Sequence, residues 1–470
     1  MFRTKIVVTV GPACESPVMI RRFLRSGVSV FRFNMKHNTQ TWHSRVMGIV
    51  RQEAKELGVP VAILMDLQGP EIRIGQLEEK IRLTKGEEVF FGKKAQKDKK
   101  TVTVDNLKLL SSLPVGEKVF IDDGRLEMRV LENKNGWIRV KVLKGGILSS
   151  RKGINFSSIQ VAIPTLFAKD FENISMAAKE DVDFIALSFV RDRKDIQRLK
   201  KEMASKNLEA QIIAKIETEK SLLHFEEILE ATDGVMVARG DLGVELPLEQ
   251  VPFWQKKIIR LCREAGKPVI TATEMLQSMV ESSRPTRAEV SDVANAIYDG
   301  TDALMLSAET ATGEFPHEAV EMMAKTARFL EDKVDFTKRN NFRLRSQSEV
   351  VVKGAYDFIH GEFRMREPIK GFVILTESGR TARLLARMRP NLPVFALTRS
   401  RKTRDQLALS WGVVPFYYPF KKKSEESIQA ILQFLKDEKM VKKDDLVVMV
   451  YGQVWGEPGL ISTARLQPVP

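Results

Sequence analysis

Lys215 and Glu217 close an apolar run, QIIAKIE (211–217), and Asp241 follows the next run in VARGDLG. A spacing of two puts Lys215 and Glu217 on one face of a strand. Two carboxylates delivered by consecutive units make a hard oxygen site suited to Mg2+ or Mn2+, which keep waters and bind substrate oxygens. The alternative is a structural pair of carboxylates, salt-bridged to Lys215 and Arg239. Other runs end in further polar groups: Arg32 and Asn34 from VSVFRFN (28–34), Asp66 and then Arg73 after VAILMDL (61–67), Thr273 from PVITAT (268–273) and Ser307 from DALMLSA (302–308). Two arginines, a lysine and a divalent cation suit an anion on which charge develops, so phosphoryl transfer is the leading reaction class. Neither a Walker A motif nor a kinase glycine-rich loop occurs. Phosphates would have to be held by side chains, the metal and strand-end amides.

These groups need a scaffold that brings strand ends together. With TKIVVTV (4–10), DFIALSF (183–189) and GVMVAR (234–239), the short apolar runs number eight, separated by segments of helical periodicity such as PVMIRRFLRSG. Strands that are apolar throughout are buried on both faces, as in parallel sheets. The expected fold is α/β, a closed (β/α)8 TIM barrel, whose active site lies at the C-terminal ends of the strands. Between the third and fourth runs, residues 74–160 alternate apolar and polar residues, with hairpin signals at DDG (122–124) and NKNG (133–136). That segment reads as an inserted all-β lid domain. The expected division is therefore a barrel in two parts, 1–73 and 161–335, the lid at 74–160, and a C-terminal α/β domain at 336–470. In the last of these GFVILT (371–376), PVFALT (393–398) and LVVMVYG (446–452) read as strands.

Composition narrows the function classes. A chain of 470 residues with 43% apolar content can build several cores, and it lacks an apolar run long enough to cross a bilayer and the apolar core of a signal peptide. A cytoplasmic protein with no membrane partner is expected. Two cysteines, Cys14 and Cys262, suggest neither a disulfide framework nor a zinc site. The net charge of +14 raises the question of nucleic acid, but KRNNFRLR, RSRKTR and KKK lie far apart without aromatic interleaving. No nucleic-acid partner is expected.

The blocks TKIVVTVGPA, RFNMKH, DLQGPEIR, AKIE, VARGDLGVE, ATEMLQSM, PTRAEVSDVANA and DALMLSAETATGEFP, in that order, resemble the signatures of the pyruvate kinase family. The resemblance runs from Thr4 to about Pro316, and more loosely through the C-terminal third. It implies phosphoryl transfer from phosphoenolpyruvate to ADP, giving pyruvate and ATP in glycolysis, usually by a homotetramer. On this resemblance Glu217 and Asp241 bind Mg2+, and Lys215 neutralises the phosphoryl group and the enolate oxygen. Thr273 and the backbone of Gly240 and Asp241 hold the substrate carboxylate. Arg32 and Arg73 clamp phosphates, and Pro12, Asn34 and His37 lie at the nucleotide, with Lys152 of RKGINF reaching down from the lid. Thr273 and Ser307, through water, protonate the enolate. The loop Thr376, Ser378, Gly379, Arg380 and Thr381 takes a sugar-phosphate or nucleotide effector. Amide donors at a helix start favour a phosphate there, although Glu377 would repel one.

The chain departs from the family pattern at the monovalent cation. Many members hold K+ with an Asn, a Ser, an Asp and a Thr; here Asn34 and Asp66 stand, but Lys36 and Leu67 occupy the hydroxyl positions. K+ is therefore doubtful as a cofactor. The ammonium of Lys36 is expected to take its place, pairing with Asp66 or Glu71. Another Mg2+-dependent barrel enzyme that stabilises a pyruvate enolate, of aldolase or carboxyl-transfer type, is the alternative reading.

Overall fold

The computed structural model describes residues 3–69, 72–92, 100–104, 113–122, 124–134, 136–156, 164–336, 340, 342–360, 369–420, 425–452 and 461–470. Three strands come first: β1 (Lys5–Thr9), β2 (Val28–Asn34) and β3 (Ala62–Asp66). The lid follows, with β4 (Ile72–Arg73), β5 (Ile81–Leu83), β6 (Glu88–Gly92), β7 (Thr101–Thr103), β8 (Lys118–Ile121), β9 (Leu126–Lys134), β10 (Trp137–Lys144), β11 (Gly146–Leu148) and β12 (Gly153–Phe156). Five more strands complete the barrel: β13 (Phe184–Leu187), β14 (Gln211–Ile216), β15 (Gly234–Ala238), β16 (Val269–Ala272) and β17 (Ala303–Leu306). They close in the order β1-β17-β16-β15-β14-β13-β3-β2, all parallel. Each of the eight expected runs contains one of these strands.

Burial explains the runs. Along β1, Val7 faces the barrel interior with Val30, Leu64, Ile213, Met236 and Met305, whereas Ile6 and Val8 face the surrounding helices. Alternate side chains go to different cores and both cores are apolar, so polar residues survive only at the ends. The helices between strands are delimited by local chemistry. Ser16 caps Pro17–Arg25 by accepting from the Met19 amide, and Thr286 and Glu289 form a reciprocal cap on Arg287–Asp299. Among the described residues, no helix is long and apolar enough to cross a membrane. Cys14 and Cys262 are both buried and free.

The lid is a mixed seven-stranded sheet, β4-β12-β8-β9-β10-β6-β7, beside a two-stranded ladder of β11 and β5. Its hairpins β8–β9 and β9–β10 turn at the two places marked by DDG and NKNG, where Asp122, Gly124 and Gly136 take positive φ. The sheet begins at Ile72, so Arg73 belongs to a lid strand and pairs with Gly153. Residues 157–160, at the expected end of the insert, lie outside the described residues.

The C-terminal α/β domain carries β18 (Ile369–Leu375), β19 (Val394–Thr398), β20 (Val413–Tyr417), β21 (Leu446–Gly452) and β22 (Ile461–Pro468), in the order β20-β19-β18-β21-β22. β20 and β22 add to the three strands expected from sequence. β22 runs antiparallel to β21 and closes the edge. Ala408 and Leu409 of this domain join the barrel's interior core, so the domain seals the barrel at the end opposite the C-terminal strand ends.

Candidate active site

The C-terminal ends of β2, β3 and β14 converge on one buried polar network. Arg32 donates from Nε and Nη2 to Asp66 Oδ2, at 2.8 and 2.6 Å, and from Nη1 to Thr9 Oγ1 at 2.8 Å. Lys215 Nζ stands 2.7 Å from Glu217 Oε1 and 3.4 Å from Asp66 Oδ1, and donates to Ser188 Oγ at 2.9 Å. The Phe189 amide donates to Glu217 Oε2 at 2.7 Å. Asp66, Lys215 and Glu217 are each at most 6% exposed. Such charges are tolerated only when paired and hydrogen-bonded.

The electrostatics follow from this packing. Burial disfavours the Lys215 ammonium, but Asp66, Glu217 and Asp241 outweigh it and hold its pKa above the ordinary lysine value. Burial would raise Asp66, yet Lys215 and Arg32 bring it below the usual carboxylate range, with a smaller contribution from Lys36. Glu217 moves the other way: burial and the like charge of Asp241 raise it against the pull of Lys215.

Asp241 lies in the first turn of the helix Arg239–Glu245, which starts directly after β15. The strand that carries it is the immediate neighbour of β14. Among the described residues no cluster of three or more His, Cys, Asp and Glu side chains forms a metal cage. Two hard carboxylates whose like charges act on one another are still a fitting donor set for Mg2+ or Mn2+, which take most of their ligands from water and substrate. Arg239 turns away from this pair. Its Nη1 bonds Asp292 at 2.6 Å, and its Nη2 donates to the carbonyls of Thr273 at 2.6 Å and Glu274 at 3.2 Å. Thr273 and Glu274 sit at φ 66 and 53, a left-handed backbone that a β-branched residue resists. Arg239 thus holds a strained turn in place. Thr273 Oγ1 accepts the Gly240 amide at 2.8 Å, joining the ends of β15 and β16.

On the other side of the network a cleft of about 380 Å3 is lined by Gly11, Pro12, Arg32, Asn34, His37 and Ser307, among others. Ser307 Oγ is buried without a hydrogen-bond partner among the described residues. Gly11 is required here, because a Cβ would lie 2.3 Å from the Ala311 carbonyl oxygen. The lid leans toward the Asp241 helix: a Cβ on Gly124 would come within 3.8 Å of Val244. Two expected phosphate contacts are engaged within the lid. Arg73 Nη1 donates to the Arg151 carbonyl at 2.6 Å, and Lys152 Nζ pairs with Asp122 at 2.7 Å.

In the cation region, Asn34 Oδ1 accepts the Lys36 amide at 3.2 Å, and Lys36 Nζ stands 5.8 Å from the centre of the Phe189 ring. The Asp66 carboxylate is engaged by Arg32, Lys215 and the Ser188 hydroxyl, the last at 3.4 Å. Leu67 is fully buried, and Glu71 lies outside the described residues. In the C-terminal domain, Gly379 at φ 78 begins the helix Arg380–Ala386 and gives its amide to Thr376 Oγ1 at 3.0 Å. Thr376 and Thr381 are buried, and Glu377 is paired with Arg399 at 3.0 Å, which neutralises the carboxylate beside Ser378. Thr9, Ser188 and the carbonyl-binding role of Arg239 had no assigned part in the sequence reading. Position at a strand end was the available signal for Ser188.

Strand-end cations and carboxylates beneath a β lid define an enzyme of the (β/α)8-barrel class. Comparison with known proteins gives the particular family. The model of the pyruvate kinase barrel domain matches residues 1–320, and that of the pyruvate kinase alpha/beta domain matches 364–467. Pyruvate kinase of Staphylococcus saprophyticus is 39% identical over 477 residues, covering 100% of this chain and 81% of the relative. Pyruvate kinase 2 of Synechocystis is 39% identical over 475 residues, covering 99% and 79%. A solved pyruvate kinase from Cryptosporidium parvum superposes with a TM-score of 0.91 at 32% identity, covering 100% of this chain and 96% of that one. The chain belongs to the pyruvate kinase family and is a phosphotransferase.

Proposed function

We propose that the chain transfers the phosphoryl group of phosphoenolpyruvate to ADP, with Mg2+ or Mn2+ held by Glu217 and Asp241 and without a requirement for K+. The observation that carries this reading is the buried network of Arg32, Asp66, Lys215 and Glu217 at the barrel mouth. Lys215 keeps its proton because carboxylates surround it, so it acts as a fixed positive charge on the phosphoryl and enolate oxygens and not as a base. When bound, the divalent cation supplies further positive charge to the same oxygens. Arg32, oriented by Asp66 and Thr9, presents its remaining N–H groups to phosphate. The Gly240 amide exchanges Thr273 Oγ1 for the substrate carboxylate. Ser307 Oγ, lining the cleft, and Thr273 relay a proton through water to the enolate carbon.

ADP occupies the cleft of Pro12, Asn34 and His37, and Arg73 and Lys152 reach its phosphates when the lid descends. Lys152 must then leave Asp122. The lid also excludes water that would hydrolyse the phosphoryl group. Lys36 provides the monovalent charge: its field lowers the Asp66 pKa, and the side chain of Leu67 brings no hydroxyl, leaving only its backbone carbonyl, which accepts from Ser188 at 3.0 Å. An anionic effector at Thr376–Thr381 is part of the same reading, supported by the neutralisation of Glu377, as are a homotetrameric assembly and a cytoplasmic location.

One coupled assay tests the core of the proposal. ATP should form from ADP and phosphoenolpyruvate in a buffer free of K+ and Na+, and only when Mg2+ or Mn2+ is added. Absence of ATP under any cation condition would remove the reaction, and a large stimulation by K+ would remove the role of Lys36.

A further inference from the structure

The base of the barrel meets the C-terminal domain across a set of arginines, and a small cavity lies among them. Arg263, Lys267, Arg383, Arg387 and Arg389 line it, against the single carboxylate of Asp302. Asp302 is fully engaged: Arg389 donates to its two oxygens at 3.1 and 2.9 Å, and the amides of Trp411 and Val269 add 3.2 and 3.1 Å bonds. Arg387 pairs with Glu349 at 3.0 Å. Arg383 reaches the neutral amide oxygen of Gln211 at 2.9 Å, and Lys267 Nζ donates to the carbonyls of Leu229, Glu230 and Thr232. Positive charge therefore exceeds negative charge around the cavity. Burial holds the Arg383 pKa below the ordinary arginine value although Asp233 and Asp302 act to raise it.

A second observation points the same way. The Nε atoms of Arg383, Arg387 and Arg389 and the hydroxyl of Ser410 are buried with no hydrogen-bond partner among the described residues. Ser410 lines the cavity and is 1% exposed, and Arg387 and Arg389 are 4% and 2% exposed. Each buried donor left without an acceptor costs about 1–3 kcal/mol, so several on residues that line one cavity favour an acceptor inside it. The wall at Gly266, φ 67, is close-packed: an added Cβ would stand 3.3 Å from Leu384 and 3.7 Å from Arg387.

We propose that this cavity is a binding site for one monatomic anion, chloride under ordinary salt conditions. Its volume of about 10 Å3 favours one small, roughly spherical body over a larger oxyanion. Water, somewhat smaller than chloride, would accept hydrogen bonds but leave the cations unneutralised. The bound ion sits at the joint between the domains and strengthens it.

Two measurements test the site. Crystals of the full chain soaked in sodium bromide are expected to show an anomalous bromine peak in the cavity. In solution the melting temperature is expected to be about 1–3 °C higher in sodium chloride than in sodium gluconate at equal ionic strength, as for a ligand present well above its Kd. That difference should vanish in Arg383→Gln. A cavity that is empty or filled by water in bromide overturns the proposal, and so does identical melting of the parent chain in the two salts. Both of these are read on the parent chain and do not depend on the variant folding.

Discussion

Lys215 and Lys36 carry the same charge on the fifth and just past the second barrel strands, yet their surroundings give them different work. Lys215 is buried and bonded to Glu217 and Ser188, so removing it leaves carboxylates without their counter-charge. Lys215→Met should lower kcat by about 10²–10³-fold, the scale for loss of a preorganised charge, while Mn2+ binding followed by electron paramagnetic resonance persists. Retention of near-parental kcat would contradict its assigned part. Lys36 is half-buried over Phe189, and its field reaches Asp66. Lys36→Ser restores the hydroxyl of the family pattern and should convert a K+-indifferent enzyme into one that K+ stimulates about 10-fold or more. A variant equally active with and without K+ would show the ammonium to be a bystander. The residue types at these positions were legible in the chain because they stand at strand ends. The hydroxyl partners of Arg32 and Lys215, Thr9 and Ser188, were not, since a lone Thr closing β1 and a Ser just past β13 carry no chemistry of their own until the barrel closes and brings β1, β2, β13 and β14 together.

Elements explain how the mouth keeps its shape. The barrel strands could be read from sequence because interior and exterior cores both demand apolar side chains. The additional C-terminal strands β20 and β22 are weaker patterns, containing Pro415 in one and a largely half-exposed face in the other, so their pairing depends on neighbours already in place. The turn after β16 is a further feature that only tertiary contacts define. Arg239→Met would release the Thr273 and Glu274 carbonyls from their donor and let the left-handed backbone relax. The expected outcome is a rise in KM for phosphoenolpyruvate with loss of about 10-fold in kcat/KM, since small misplacements of binding groups are costly; unchanged KM would mean the turn holds without the guanidinium. Gly11→Ala tests the opposite wall. Its methyl group meets the Ala311 carbonyl, so stability should fall by about 1–3 kcal/mol, with KM for ADP raised more than that for phosphoenolpyruvate. Denaturant titration and steady-state kinetics together would expose any tolerance of the extra carbon.

The whole molecule is a barrel capped at one end by the lid and at the other by the C-terminal domain, and the second junction is rich in buried charge. Lys5 is 8% exposed and donates to the Val413 carbonyl at 2.8 Å across that junction. Burial pushes its pKa down to about 8, although Glu331 and Asp302 oppose the shift. Between pH 8 and 10.5 the unfolded chain binds more protons here than the folded one, so this group favours folding increasingly as pH rises through that window. Its stabilising contribution is complete above the unfolded value and is lost as pH falls through about 8. Relative to Lys5→Met, the parent chain should therefore gain up to ~3 kcal/mol over the window, read by chemical denaturation at several pH values. A difference that stays flat with pH would refute a depressed Lys5. The same junction gives β14 a second property. Gln211 opens that strand and receives Arg383 from the helix that begins at Gly379, while Lys215 lies near its other end and Glu217 directly follows it. One extended segment of six residues, stiff because it is hydrogen-bonded on both edges, spans the barrel from base to mouth. It is a connecting rod. Because both of its edges are bonded into the closed barrel, the strand fixes the distance between the Arg383 contact at the floor and the ammonium at the mouth.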